Sequence, residues 1–474
     1  MSPEAASAVV VGTGFASSFF LAEYLRHAPA NARILVLERG RRLDPALRLQ
    51  RRLSFDLDVG NLIVNRTPQK RWIQNIGFGG GSCWHGLTPR MHPNDFRTRS
   101  LYGIGADWPL SYGDLEPYYV RVEEIMGISG AAVGPYPRSR PYPHPPHRMS
   151  AVDELLAKRY PGQYMPSPSA RSSSVATGRP VCCGNGVCSL CPIGAKFQVD
   201  LHMVRMYEDP RITLLLGAEV ERVDVQAGRV AGVQYRREGR EQYVRTELAA
   251  VGAHAIMTPF ILLRSGLRDR ALGRYLNEQI LCSVRVDLDG VDNYGGGQQS
   301  SGLGVMFLDG AFRKERPGCL VESWNVPLLR AARGRWRQRA RILFAFEDIP
   351  EADNYVGIAA EDPAKPEVHY PRHSPYMQAG LASVSGLVQE LARALPIESF
   401  EIEPLEYLGG AAHIQGTTRM GQDPADSVVD RDLRHHAIRN LVVLGSGTFP
   451  TCPAANPTLT LSALAMRAAE RLFT

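Results

Sequence analysis

The feature that most restricts the fold of this chain is a glycine turn close to its N-terminus. Ala8–Val11 is a short apolar run that reads as a buried strand, and Gly12-Thr13-Gly14 and a helical pattern over residues 15–26 follow it. Gly12 permits a tight turn, and Gly14 lets the backbone approach a pyrophosphate held at the N-terminus of the helix. The order strand, glycine turn, helix therefore predicts a dinucleotide site.

Two more residues extend this prediction. Ser17 occupies the position where a third small residue packs the helix against the strand. A second strand over residues 33–37 ends at Glu38, whose carboxylate is placed to accept the ribose hydroxyls. An acidic group at this position disfavours a 2′-phosphate, but these residues alone do not choose between FAD and NAD.

The remaining patterns alternate between helix and strand. Strands begin again at residue 212, and helices are predicted over residues 258–265 and 376–395, with a last strand at 440–444 and a helix up to 472. The proline-dense segment 135–148 predicts an extended surface chain, as a lid or a linker. Strand–helix units at both ends favour an α/β nucleotide-binding domain assembled from distant pieces of the chain.

Composition excludes several classes of protein. The 474 residues are 44% hydrophobic and 22% charged, as in globular proteins. Six arginines between residues 330 and 341 favour a solvated face over an anionic partner, and without a nucleic-acid-binding motif we expect no nucleic acid. Gly12 and Gly14 interrupt the longest apolar region, so we expect no membrane span. With no targeting pattern before the first strand, we expect a cytoplasmic protein.

Four further motifs stand in order along the chain. They are Gly79-Gly80-Gly81-Ser82-Cys83-Trp84-His85; Gly252-Ala253 with Thr258-Pro259; His413-x-x-Gly416-Thr417-x-Arg419-Met420-Gly421; and Asn440-Leu441 through Ser446 with Phe449-Pro450, followed by Ala455-Asn456-Pro457-Thr458. Together they resemble the glucose–methanol–choline (GMC) oxidoreductase family. The resemblance covers both ends and the middle of the chain, and it fails mainly across residues 100–175 and 281–400.

The resemblance implies a fold and a cofactor. The fold is α/β plus β: a Rossmann-like FAD-binding domain built from residues 1–100, 175–280 and 408–474, and a substrate domain with an antiparallel sheet from residues 101–174 and 281–407. The FAD is expected to be non-covalent, because Trp84 and His85 stand in a different order from the relatives that attach it through a histidine. The residues implied to contact FAD are Gly12, Gly14, Ser17, Glu38, Arg39, Gly80, Gly81, Ser82, His85, Val220, Ala253, Gly445, Ser446, Asn456, Pro457 and Thr458.

The resemblance also assigns the catalytic pair. His413 is the implied base, since a neutral imidazole titrates close to working pH. Asn456 takes the second position, where its amide N–H can hold a developing alkoxide. The alternative is a hydrogen-bonded structural His413 and a helix-capping Asn456. His435 and His436 are predicted at the surface, and no role is assigned to His202, His254 or His369.

A cysteine cluster stands apart from these motifs: Cys182, Cys183, Cys188 and Cys191 fall within ten residues, and Pro192 follows. Three interpretations stay open, namely an iron–sulfur cluster, a structural disulfide or free-thiol turn, and zinc. The segment resembles the one in the sugar-oxidising branch of the GMC family, in which some members carry an iron–sulfur relay. Eight cysteines with four scattered do not form the pattern of a disulfide framework.

Three classes of function remain. The first is FAD-dependent oxidation of an alcohol group on a sugar, aminosugar or polyol, with the electrons passed to an external acceptor such as a protein. The polar run over residues 294–301 favours this small polar alcohol substrate. The second is a sterol or aliphatic alcohol oxidase that uses oxygen. The third is a non-catalytic electron-transfer flavoprotein, which the presence of both His413 and Asn456 disfavours.

Overall fold

The structure is a computed structural model that describes residues 4–53, 62–73, 75–326, 328–405 and 410–474. Within these ranges the strands, numbered β1 to β20 in chain order, are Ala5–Ala6, Ala8–Val11, Ile34–Glu38, Val64–Asn65, Tyr164–Pro166, Ile212–Leu216, Ala218–Gln226, Arg229–Arg237, Arg240–Thr246, Ala249–Val251, Asn277–Glu278, Ile280–Leu288, Ser300–Gly304, Cys319–Trp324, Arg339–Phe346, Tyr355–Ile358, Pro366–His369, Ile397–Ile402, Ile414–Gln415 and Leu441–Val443. The α-helices, numbered α1 to α10 over the same ranges, are Phe15–His27, Pro45–Gln50, Thr98–Tyr102, Tyr112–Met126, Ala151–Arg159, Val199–His202, His254–Arg264, Pro375–Ala382, Val384–Leu391 and Pro457–Glu470.

A five-stranded parallel sheet forms the half of the molecule that contains the Gly12–Gly14 turn. Its strand order is β20-β10-β2-β3-β6, and every neighbouring pair is parallel. Strands β2 and β3 are buried along their whole length, as the continuous apolar runs of a sheet covered on both faces require. The five strands come from three separate stretches of the chain, which confirms the prediction of a Rossmann-like fold assembled from distant pieces.

Two of the helices begin at the same part of the molecule. Helix α1 starts directly after Gly14, and α10 starts directly after Asn456, with Pro457 in the first turn. The two helices pack against each other, and α4 packs against α10. Proline suits the first turn because its missing N–H has no partner there in any helix.

A six-stranded antiparallel sheet forms the other half, in the order β18-β12-β15-β14-β13-β5. Side chains on its strands alternate between two faces. Val284, Val321 and Phe344 pack on one face in a core with residues of α5, α8 and α9. The other face carries Leu281 and Glu322, which line the cavity described below. One face of the sheet thus packs against helices in a core, and the other face forms a wall of the cavity.

Several regions refine the sequence predictions. The helix expected over residues 376–395 is two helices, α8 and α9, which meet at Ser383. The proline-dense segment 135–148 has no helix or strand and is largely exposed, as predicted, but His144 and His147 within it are buried. No helix among the described residues has the length and apolar character that a bilayer crossing needs.

The arginine-rich stretch is a network of ion pairs. Four of its six arginines pair with carboxylates on the six-stranded sheet or directly after its strands, so these carboxylates offset part of the positive charge of the stretch. The pairs are Arg330 with Glu398 and Asp287, Arg335 with Glu398 and Asp289, Arg339 with Asp287, and Arg341 with Glu403.

Candidate active site

One cavity of about 470 Å³ runs between the parallel sheet and the antiparallel sheet. Its lining begins at the Gly12–Gly14 turn and reaches His413, Asn456 and the six-stranded sheet at the other end. Of the predicted site residues, those that line it are Gly12, Gly14, Glu38, Arg39, Gly80, His85, Val220, Ala253, His413, Gly445, Ser446, Asn456, Pro457 and Thr458. The structure therefore brings together residues that are far apart in sequence.

Ser17, Gly81 and Ser82 do not belong to this lining. The Ser17 hydroxyl donates to the carbonyl oxygen of Val11 at 3.0 Å, so it joins the helix to the strand beneath it. A Cβ on Gly81 would come within 2.7 Å of the Val199 side chain, so Gly81 serves close packing. Ser82 is buried, and its carbonyl oxygen accepts from the Gln198 amide at 3.0 Å. All three support the walls of the cavity from behind.

The two glycines of the turn differ in what surrounds them. Gly12 has a φ of +89°, and a Cβ there would lie 2.6 Å from the carbonyl oxygen of Gly252. A Cβ on Gly14 would meet no atom within 4 Å. Gly12 is thus required by the backbone, whereas Gly14 faces open space in the cavity at the start of α1. The unpaired N–H groups of a helix start favour an anionic group at that place.

The Glu38 carboxylate accepts hydrogen bonds from three loops at the end of the cavity that contains the Gly12–Gly14 turn. Oε2 accepts from the backbone N and the hydroxyl of Thr13 at 3.0 and 2.8 Å. Oε1 accepts from the backbone N of Gly40 at 2.6 Å and of Gly77 at 3.0 Å. Since β3 ends at Glu38 and the side chain lines the cavity, the carboxylate lies at the carboxyl edge of the parallel sheet, where nucleotides bind in this architecture.

His413 and Gln279 face each other at the other end of the cavity. The short strands β11 and β19 pair antiparallel with Glu278 opposite Ile414, so the next pair in register is Gln279 and His413. The distance from His413 Nδ1 to Gln279 Oε1 is 2.6 Å. The Gln279 amide nitrogen donates to the carbonyl oxygens of Pro453 and Ala455. Because that nitrogen already donates to two carbonyl oxygens, the amide oxygen faces the imidazole and must accept a hydrogen bond from Nδ1–H.

This hydrogen bond assigns the tautomer of His413. With the proton on Nδ1, the lone pair of Nε2 is left toward Asn456 and the cavity. Burial, with a smaller contribution from His85, lowers the pKa of His413 to about 3. The imidazole is therefore neutral at ordinary pH, and its Nε2 can accept a proton.

Asn456 completes the pair. Its Nδ2 lies 3.5 Å from His413 Nε2, and its Oδ1 is buried without a hydrogen-bond partner in the described part of the chain. The residue is the N-cap of α10, but its side chain makes no capping hydrogen bond. The capping alternative for Asn456 thus finds no support in its contacts, and its amide lies beside the candidate base.

The wall opposite the nucleotide end is polar. Glu322 and Trp324 lie two residues apart on β14 and both line the cavity, as does Ser300 from the polar run 294–301. The Trp324 indole packs edge to face on His85 at 5.5 Å between ring centres. Burial, with the positive charges of Arg171 and Lys196, lowers the pKa of His85 to about 4. Both histidines at this end of the cavity are therefore neutral.

The four clustered cysteines do not gather into a metal site. Cys183 is exposed, Cys188 is buried, and none of the four forms a disulfide. No group of three or more His, Cys, Asp or Glu side chains among the described residues, which include all four cysteines, is arranged to hold a metal ion. The structure therefore gives no support to the iron–sulfur or the zinc interpretation.

Four residues depart from what the sequence indicated. Gln279 and Glu322 carry no motif and were not predicted, although a glutamate inside an apolar strand is a signal that could have been used. His254, which was given no role, lines the cavity, and burial lowers its pKa to about 4. The surface prediction for His435 is wrong: its ring is buried and hydrogen-bonds Asp269 at 3.1 Å. Asp269 is distant from His435 in sequence, so the charged residues around His435 could not show that its ring is buried.

Comparisons with known proteins show which family the chain resembles along its length. Two family models described as GMC oxidoreductase match residues 170–281 and 350–465. The fructose dehydrogenase large subunit of Gluconobacter japonicus is 27% identical over 100% of this chain and 99% of its own length. Paromamine 6′-oxidase of Streptomyces fradiae is 28% identical over 98% of this chain and 90% of its own. The crystal structure of pyridoxine 4-oxidase from Mesorbium loti superposes with a TM-score of 0.69 at 18% identity, covering 98% of this chain and 99% of that one.

The fold and the cavity define a flavoprotein oxidoreductase with a nucleotide end and a histidine–asparagine end. The chain belongs to the GMC oxidoreductase family, whose members bind FAD and act on CH–OH groups.

Proposed function

We propose that the protein oxidises an alcohol group on a sugar, aminosugar or polyol, with His413 as the base and FAD as the hydride acceptor. The observation that carries the proposal is the His413–Asn456 pair, in which the imidazole is neutral and its tautomer is set by Gln279. A histidine with a purely structural role would not need its Nε2 lone pair directed toward a cavity, as that of His413 is. The three residues together form a site that takes a proton from a hydroxyl group.

The residues at the nucleotide end fit FAD. The open space above Gly14 at the start of α1 suits the pyrophosphate, and Glu38 suits the ribose of the adenosine part. Pro457 and Thr458 place the first turn of α10 against the cavity, where the positive end of the helix favours electron-rich groups. FAD bound here would supply the acceptor for the hydride of the carbinol carbon and its two electrons.

The protein supplies the proton chemistry. A substrate hydroxyl between His413 and Asn456 donates its proton to Nε2, and the Asn456 amide donates to the oxygen that is left. Gln279 Oε1 stabilises the resulting imidazolium through Nδ1–H. As the hydride leaves the carbon, the alcohol becomes a carbonyl, so the substrate loses one proton to His413 and one hydride, which are two hydrogens and two electrons in all.

The substrate class follows from the wall and from the relatives. Ser300, Glu322 and Trp324 offer polar groups where a sterol would require an apolar surface. The relatives are named for oxidation of fructose and of paromamine, a sugar and an aminosugar. A small polyhydroxylated alcohol therefore fits this end of the cavity better than an aliphatic one.

The electrons of reduced FAD pass to an external acceptor in this proposal. An internal relay through Cys182, Cys183, Cys188 and Cys191 rests on sequence alone, because the described residues form no metal site. Iron and acid-labile sulfide assays on anaerobically purified protein decide this point. Stoichiometric iron together with slow reaction with oxygen would restore the relay, and iron-free protein with full activity would remove it.

The proposal is tested by mixing purified protein anaerobically with alcohols and following the flavin absorbance near 450 nm. Bleaching by a sugar, aminosugar or polyol is expected. Protein that contains FAD and is bleached only by aliphatic or sterol alcohols would replace the proposed substrate class. Protein that contains FAD and is bleached by no alcohol would support the electron-transfer alternative instead.

A further inference from the structure

A buried carboxyl group at the substrate end has no role in the proton chemistry above. Glu322 lies on β14 and is 3% exposed, and its side chain lines the cavity. Oε2 accepts from the Trp324 indole N–H at 3.0 Å, which is the single hydrogen bond to this carboxyl within the described part of the chain. The other oxygen, Oε1, is therefore left for a ligand.

Among the described residues, no lysine or arginine side chain forms an ion pair or a hydrogen bond with Glu322. Arg39 is the one lysine or arginine among the described residues that line the cavity, and it pairs with Glu219 at 3.2 Å at the nucleotide end. Arg171 is the nearest basic group that acts on Glu322 through its field, but its own hydrogen bonds go to the Gln298 side chain and the His85 carbonyl oxygen. A buried carboxylate without a paired cation is costly to keep in a protein.

We propose that Glu322 binds an ammonium group of the substrate, so that amine-bearing sugar alcohols are preferred over the matching neutral alcohols. The inference rests on the proposed function and narrows its substrate class. An ammonium supplies both the missing charge and up to three N–H donors, whereas a hydroxyl supplies one donor and leaves the charge unbalanced. The neutral state of His85 and His413 means that neither repels a cation.

The same geometry excludes another class of substrate. A sugar phosphate or an aldonic acid would bring a second negative group into a low-dielectric space with the Glu322 carboxylate. Like charges at close range in such a space repel strongly. Anionic sugars are therefore expected to be poor substrates, and no cation in the described lining at that end would offset them.

Burial also makes this contact dependent on pH. Burial raises the pKa of Glu322, and the Trp324 hydrogen bond and Arg171 oppose the shift. Lowering the pH protonates the carboxyl and removes its charge, so binding of an ammonium weakens while binding of a neutral alcohol does not. The titratable groups beside it are His85 and His413. They stay neutral while Glu322 takes up its proton, because their pKa values lie near 4 and 3.

The test compares Glu322→Gln with the unchanged protein on matched alcohols, first glucosamine against glucose and then paromamine. The amide can still accept from Trp324, so the fold and the FAD content should be kept. We expect kcat/KM for the amine to fall by about 10- to 100-fold, mainly through KM, and kcat/KM for glucose to fall by a much smaller factor, because only the amine loses a charged partner. Glu403→Gln is the matched control, since Glu403 pairs with Arg341 at 3.0 Å on the same sheet and is not among the described lining.

Equal loss on both alcohols, or no loss on either, would overturn the role of Glu322. A second measurement needs no variant: in the unchanged protein, kcat/KM for the amine should fall at low pH while that for glucose stays level. Parallel profiles would also overturn the inference. If no alcohol of either kind reduces the flavin, it is the proposed function that fails, and the two failures are thus distinguished.

Discussion

The Nδ1 atom of His413 lies 2.6 Å from Oε1 of Gln279, and this contact decides which imidazole nitrogen can act as a base. Gln279 cannot turn its amide around without losing the two carbonyl partners of its nitrogen, Pro453 and Ala455. In the proposed mechanism the glutamine therefore positions His413 without touching the substrate. The register of β11 and β19, two strands of two residues each, places Gln279 opposite His413.

Replacing Gln279 tests this positioning. Gln279→Leu removes the acceptor for Nδ1–H, and we expect flavin reduction to slow by about 10- to 100-fold with little change in substrate affinity. Gln279→Glu places a carboxylate beside the imidazole and should raise the pKa of His413, so an inflection should enter the pH profile of the reduction rate. Gln378→Leu, on an exposed position of α8, is the control. Unchanged rates and profiles in both variants would remove Gln279 from the mechanism.

Removing the base itself should have the largest effect. His413→Ala is expected to keep FAD and to slow its reduction by substrate by about 10² to 10⁴ fold, the usual scale for losing a general base. Asn456→Ala should cost less, because water can partly replace the amide donor. Stopped-flow absorbance measures both, and His436→Gln, outside the described lining of the cavity, serves as the control. Rates for His413→Ala equal to those of the unchanged protein would contradict the assignment.

The two glycines of the turn should separate stability from cofactor binding. Gly12→Ala places a Cβ at a positive φ and against the Gly252 carbonyl, so the free energy of unfolding should fall by about 1–3 kcal/mol. Gly14→Val points into open cavity, so the protein without FAD should keep its stability while FAD binding is lost. Thermal unfolding and flavin content measure the two effects. A Gly14→Val protein that retains FAD would show that the cofactor does not pass over this turn.

The pH dependence follows from the low pKa of the base. Burial lowers the pKa of His413 to about 3, so lowering the pH protonates the imidazole only below about pH 4. With glucose or another neutral alcohol, the rate of flavin reduction should stay level between about pH 5 and pH 8. A loss of rate through an apparent pKa near 6.5, absent from His413→Ala, would show that the imidazole titrates as an exposed histidine does.

The parallel sheet could be predicted because its strands are recognisable from the residues within and directly beside them. Ala8–Val11 has the predicted bounds, and the second strand ends at Glu38 as expected. Continuous apolar runs next to glycines leave few alternatives for such strands. Helix α10 likewise follows the Asn456-Pro457 pair, which is a strong local start signal.

The site residues that could not be predicted from the sequence depend on contacts between residues that are distant along the chain. Gln279 is 134 positions from His413, and no local pattern reports the register of β11 and β19. Glu322 reaches the cavity because alternate residues of β14 share a face, but nothing in the sequence tells which face. The single helix expected over residues 376–395 is divided at Ser383, which ends α8 and precedes α9, and the apolar pattern that predicted one helix does not mark this boundary.

The most direct test of the account is anaerobic stopped-flow reduction of the FAD-loaded protein by a sugar, an aminosugar and a polyol, each compared between the unchanged protein and His413→Ala. The flavin should bleach with at least one of these alcohols, and the variant should bleach about 10² to 10⁴ fold more slowly while holding the same amount of FAD. Bleaching by none of the alcohols, or at equal rates in both proteins, would contradict it.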